Sequence, residues 1–140
     1  PVAGWAAFIF LFSTSTFASE HTGAFLLPLL ERLFPGWSEA QRLLVHGVIR
    51  RTAHVTEYAI LSVLWFRALR RGAWGLGSAQ VLAFGAAVIY ACSDEWHQSF
   101  VINRTASAAD VGFDVAGAAL AQVGLRCWSW ITGRPPPIGV

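Results

Sequence analysis

The sequence has no lysine and no methionine, and it has little charge of either sign. Charged residues make up 13% of the chain, against about 25% in an average soluble domain. A chain so poor in charge cannot cover a globular surface in water. All ten cationic residues are arginine, and the net charge of +2 is scattered, which excludes the dense basic footprint of a nucleic-acid binder. The two cysteines, Cys92 and Cys127, lack metal-ligand spacing. Neither H-E-x-x-H nor G-x-S-x-G occurs. What remains is apolar: 55% hydrophobic residues and a mean hydropathy of +0.51. The composition favours an integral membrane protein, and 140 residues suffice for one domain, residues 1–140.

The apolar sequence divides into four expected spans. The first covers Val2 to Phe17; a cleaved signal peptide is the alternative, but it lacks a basic start and leaves the later spans unexplained. The chain begins at Pro1 without Met, so this span is expected to be cut short. Between Ala18 and Arg50, the cluster from Phe25 to Phe34, cut by Pro28 and Pro35, is too short to cross and predicts an interfacial or re-entrant helix. Ser38-Glu39-Ala40-Gln41 predicts a capping box opening a further helix. The second span runs from Arg51 to Leu69. The third, Ala73 to Cys92, has twenty residues without a charge, and its alanines at 79, 83, 86 and 87 suit close helix contact. The fourth runs from Ala106 to Ile131, with Ser107 and Asp110 as its expected capping pair and Arg134-Pro135-Pro136-Pro137 as its stop. The expected fold is all-α, a four-span helix bundle with one interfacial segment between spans one and two.

This topology places both termini on one side with Arg67, Arg70, Arg71, Arg126 and Arg134 and no acid. All eight acids lie opposite, with Arg32, Arg42, Arg50, Arg51 and Arg104. Raw arginine counts tie; setting aside Arg51 and Arg104 as site residues makes the terminal side cytoplasmic. It also puts Cys92 and Cys127 on opposite sides of the bilayer, which excludes a disulfide between them, since that needs Cα atoms within ~7 Å.

Four of the eight acids (Asp94, Glu95, Asp110, Asp114) fall within Tyr90 to Gly117, with His97, Gln98 and Arg104 between them. Helical spacing sets Arg51, His54, Tyr58, Leu61 and Trp65 on one stripe, bordered by Glu57. Tyr90, Asp94, His97 and Gln98 share a second face; Asp110, Asp114, Gly117, Ala121 and Gly124 share a third. Each feature alone has a structural explanation: Asp110 and Asp114 favour a helix N-terminus, Arg104 can lock a turn against Asp94 or Glu95, and His54 can be a packing residue. Together they bring polar side chains from three helices to one depth, where charge is costly to keep.

The pattern Arg51-x-x-His54-x-x-Glu57-Tyr58, then Asp94-Glu95-x-x-Gln98, then Arg104 and Asp110 at intervals of six, resembles the VanZ-like family of small bacterial membrane proteins. The resemblance extends over Ser13 to Gly124. It departs from the family at Arg51, where Lys is common, at Asp114, where Asn is typical, and at Ile102-Asn103, where Pro-Gly is frequent. The extra carboxylate at Asp114 raises the expectation that it shares a proton with Asp110. The resemblance implies a bacterial inner-membrane location and a site shared across the family. The family's namesake is associated with teicoplanin resistance, and no reaction is settled for it.

Three functions fit these residues. In the first, Arg51 and Arg104 hold the phosphate or carboxylate of an envelope headgroup, while Tyr58, Gln98, Asp110 and Asp114 orient it. The partners are then membrane lipids, a lipid-linked cell-wall precursor or a glycopeptide. In the second, His54, Glu57, Asp94, Glu95 and His97 carry a hydrolase or transferase reaction, with His54 as base or with a divalent metal as an optional cofactor. In the third, the charges form only a structural network. A proton relay is disfavoured, because the middle of span three carries no charge and Gln80 is its one amide.

Overall fold

In the computed structural model, described over residues 1–12, 19–72, 74–100 and 107–136, the chain forms five helices. They are α1 (Val2–Phe12), α2 (Ser19–Leu33), α3 (Glu39–Arg71), α4 (Leu76–Gln98) and α5 (Ala108–Thr132). No strand occurs among the described residues.

α3 begins at the expected capping box: Gln41 N donates to Ser38 Oγ and Ser38 N donates to Gln41 Oε1. The expected capped helix and second span are one continuous helix of 33 residues, about 50 Å long. No proline interrupts Glu39–Arg71, so nothing separates the two. α2 likewise runs through Pro28, where a break was expected. The proline costs one helical hydrogen bond, to the carbonyl of Ala24. At α5, Ser107 Oγ accepts from Ala109 N as a cap, but the Ser107 N–H is donated to Glu95 rather than to Asp110. α5 ends at Gly133, whose φ of 63° is left-handed, before the prolines are reached.

α3, α4 and α5 form the bundle, with the α3–α5 contact the most extensive; α1 and α2 each pack on α3. α3 and α4 are joined through Gly72 and Gly75, so they run antiparallel, as α4 and α5 do. The core between them is made of small side chains. Ala79, Ala83, Ala87 and Ala91 form a strict i+4 stripe on α4 and are fully buried, as are Gly117's neighbour Ala118 and the larger Tyr58, Leu61 and Phe66. The large apolar residues of the same helices point outward: Ile89 is 73% exposed and Leu120 62%. A soluble protein places these classes the other way round.

α4 and α5 are long and apolar enough to cross a membrane. Four spans were expected, and the other two helices do not pass that test. α1 has 11 residues and reaches about 16 Å, against a hydrocarbon core of ~30 Å. The remainder of the expected first span, residues 13–18, lies outside the described residues. α3 has the length but carries arginines at both ends of its middle section and Glu57 within it.

α1 lies along α3 and α4, with Pro1 and Val2 near Arg67 and Arg71 at the basic end of α3 and Phe10 beside His97 at the acidic end. Trp5 Nε1 donates to the Glu57 carbonyl at 3.0 Å, Tyr90 Oη donates to the Ala6 carbonyl at 2.6 Å, and Ile9 packs with Tyr58, Leu61 and Ala91.

Candidate functional site

The polar layer is assembled by one close helix crossing. A Cβ placed on Gly117 of α5 would stand 2.1 Å from the carbonyl oxygen of Val55 on α3. Only glycine permits that approach. One turn above it, the side chains of His54 (α3) and Asp114 (α5) meet, Nδ1 to Oδ1 at 2.9 Å. Asp114 is 2% exposed. A carboxylate on Nδ1 fixes the ring orientation and tautomer of a neutral imidazole and stabilises a protonated one. Asp110, one turn before Asp114 on α5, has a different partner. Asp110 accepts from Arg50 Nη2 at 2.7 Å, so each carboxylate has a cationic or imidazole partner of its own.

α4 supplies the third side. Gln98 Nε2 donates to Asp94 Oδ2 at 2.8 Å, and both residues are buried. Glu95 Oε1 accepts the backbone N–H of Ser107, joining the end of α4 to the start of α5. Tyr58, one turn below His54, is fully buried, and its hydroxyl has no hydrogen-bond partner among the described residues. Glu57 is half-buried beside α1.

Two expected members stand elsewhere. His97 turns toward α1, its ring 4.6 Å from that of Phe10, because a step of three from Asp94 rotates it off the face that Asp94 and Gln98 share. Arg51 is exposed with its guanidinium 5.3 Å above the Phe113 ring, and it is Arg50, not singled out from the sequence, that pairs with Asp110. Arg50 was legible: it lies four residues before His54, the same helical interval as His54 to Tyr58. Arg104 lies outside the described residues.

A second polar cluster lies about 12 Å further along α3, at Ser62. Gln122 Nε2 donates to Ser62 Oγ (2.8 Å) and to the Ser62 carbonyl (3.2 Å), and Gln80 Nε2 donates to the Gln122 carbonyl (3.0 Å). The buried seam of α5 thus runs through Ala118 and Gln122, not through Ala121 and Gly124 as the spacing predicted. Among the described residues, no three His, Cys, Asp or Glu side chains are grouped closely enough to hold a metal ion. Cys92 and Cys127 are both exposed and free.

An open groove of about 880 Å³ adjoins the layer between α2 and α3. Leu27, Pro28 and Leu43 wall it, and Arg50, Arg51 and Asp110 close its polar end. Asp110 therefore belongs to both the groove and the buried layer.

A helical bundle with two membrane-length apolar helices, outward-facing large apolar residues and a polar layer at one end has the architecture of a membrane protein. The VanZ/LLP1 family profile matches residues 2–129, and the chain belongs to that family. No curated protein and no solved structure gives a significant match.

Proposed function

We propose that this VanZ/LLP1 protein crosses the bacterial inner membrane four times, through α1, α3, α4 and α5, with cytoplasmic termini. Its polar layer then faces outward and recognises the anionic or glycan headgroup of an envelope component. The observation that carries this reading is the groove: apolar along its length, and ending at Arg50, Arg51 and Asp110 beside the buried layer. That is the polarity of an amphipathic ligand, tail along α2 and head at the layer. Arg50 and Arg51 suit an oxyanion; Asp94, Gln98 and Asp114 suit hydroxyls or amides. Recognition of a cell-wall precursor or of a glycopeptide at this face would connect the protein to glycopeptide susceptibility.

The test is binding of anionic phospholipid and of lipid-linked peptidoglycan precursor to the purified protein in nanodiscs, compared with His54→Ala and Gln98→Ala. Retention by wild type and loss in the variants at unchanged melting temperature supports the reading. Retention of neither ligand by wild type sinks it. Variants that lose binding only by unfolding indicate a structural network instead.

The His54–Asp114 contact favours a second reading, a hydrolase or transferase acting on an envelope lipid. A carboxylate on Nδ1 leaves Nε2 as the general base, the orienting role that carboxylates play in acyl-transfer enzymes. Asp94 and Glu95 would assist from α4, and a divalent metal is not required. Turnover of lipid-linked precursor by wild type, abolished in His54→Ala and reduced in Asp114→Asn, would establish it.

A further inference from the structure

Of the two ends of the groove, the polar one contains a residue that none of the preceding roles uses. His46 lies one turn before Arg50 on α3, lines the groove, and has its Nε2 buried with no hydrogen-bond partner among the described residues. Buried polar atoms are rarely left so, because the desolvated donor or acceptor is costly. We propose that the α2–α3 groove seats a glycerophospholipid of the surrounding bilayer, with Arg51 and His46 holding its phosphodiester and one acyl chain lying along Leu27, Pro28 and Leu43. This rests on the headgroup reading above and names the ligand class for the part of that site outside the buried layer.

Charge complementarity selects the phosphodiester. Arg50 is neutralised by Asp110 at 2.7 Å, so the pair contributes no net charge to the groove. The Arg51 guanidinium has no carboxylate partner among the described residues; it rests on Phe113 and keeps its N–H edge available. Among the described residues, the groove therefore offers one uncompensated positive charge and one additional imidazole nitrogen. A phosphodiester brings one negative charge, spread over two non-bridging oxygens that can meet donors from two directions. A phosphomonoester or diphosphate brings more negative charge, and the Asp110 carboxylate in the same wall opposes the excess. A fatty acid matches in charge, but a single guanidinium fork engages both its oxygens, leaving His46 unserved.

The surroundings match a lipid rather than a soluble phosphate compound. Around the groove, Phe25 is 75% exposed and Leu44 69% exposed. These side chains need apolar contact from outside the chain, and α2 with its exposed Phe25, Leu29 and Leu33 presents an apolar face of the kind that lies at the headgroup boundary. The start of α5 at Ser107 also lines the groove and adds the positive end of a helix near the phosphate.

The test uses the full chain, delipidated in detergent, with lipid retention read by native mass spectrometry against titrated dioleoyl phosphatidylglycerol, phosphatidic acid, oleate and a polyprenyl diphosphate. The phosphatidylglycerol adduct is expected to be the strongest. Arg51→Gln and His46→Phe are each expected to weaken it by about tenfold or more. His46→Gln keeps a donor and is expected to restore most of the binding. Arg51 is exposed, so its variant folds, and melting temperatures check the others. If wild type retains phosphatidylglycerol equally well in Arg51→Gln and His46→Phe, or prefers oleate or the diphosphate, the assignment is overturned. In that case the headgroup reading survives wherever binding still depends on His54 and Gln98. If wild type retains none of the four probes, this inference falls alone, and the headgroup reading is then decided by binding of the lipid-linked peptidoglycan precursor and its dependence on His54 and Gln98.

Discussion

Replacing Gly117 with alanine tests the helix crossing on which the site depends. A Cβ at this position would meet the Val55 carbonyl oxygen at 2.1 Å and its carbonyl carbon at 2.8 Å. Both atoms are backbone, so no rotamer change relieves the clash. α3 and α5 must move apart by more than ~1 Å to restore an ordinary contact, and overpacking of this kind costs ~1–3 kcal/mol. The same movement acts one turn away on the His54–Asp114 contact, now 2.9 Å, and carries it past hydrogen-bonding distance. A hydrogen bond to a charged group is worth ~1.5–3 kcal/mol, so the combined loss is roughly 2.5–6 kcal/mol. For a chain of this size that corresponds to a fall in melting temperature of roughly 5–15 °C. The internal controls are on the same helix. Gly112 and Gly124 have nothing within 4 Å of a built Cβ, so alanine there should be neutral or stabilising by up to ~1 kcal/mol through helix propensity. The assay is thermal unfolding in one detergent, followed by circular dichroism and by monodispersity. Gly117→Ala melting with Gly112→Ala and Gly124→Ala would refute the close crossing and the assembly of the layer with it.

Removing one partner of the His54–Asp114 pair is expected to cost ~3–5 kcal/mol in Asp114→Ala, and the double variant with His54→Ala should cost less than the sum, as a double-mutant cycle of melting temperatures will show. Gln122→Leu removes the donor to Ser62 in the middle of the bundle; the expected loss is only ~0.5–2 kcal/mol, because such bonds within membranes are individually weak, and a larger loss would mean that Gln122 does more than join helices. Tyr90→Phe deletes the hydroxyl that holds Ala6, and α1 should then become more susceptible to limited proteolysis while α3–α5 stay protected. For the orientation, single cysteines are introduced at Gly36 and Gly75 in a background lacking Cys92 and Cys127. Both glycines have open space around them. An impermeant maleimide applied to spheroplasts should label Gly36→Cys at once and Gly75→Cys only after permeabilisation; the reverse order would invert the topology.

The polar residues were legible in the sequence because charge is sparse enough for each cluster to stand out against apolar surroundings. His54, Asp94, Gln98 and Asp114 recur at helical spacing, and three of those four are buried together. Their pairing was not legible. Whether Arg50 or Arg51 reaches Asp110 depends on how far α3 is rotated about its axis, and one residue changes the bearing by about 100°. The same uncertainty took His97 to α1 and shifted the lower seam of α5 to Ala118 and Gln122. The groove was beyond reach for a different reason: it requires α2 to fold back on the first third of α3, and periodicity within one helix says nothing about which distant helix it meets.

By itself, then, the sequence determined the class, an all-helical membrane protein, and the composition of a polar layer at one end. Both follow from local quantities, hydropathy and spacing, that each segment carries alone. The tertiary structure decided which side chains touch, because contact depends on a single crossing at Gly117 and Val55 and on the rotation of each helix about its axis. It also decided that the layer opens onto an apolar groove rather than ending as a closed network, since that space exists only between helices that the sequence lists apart.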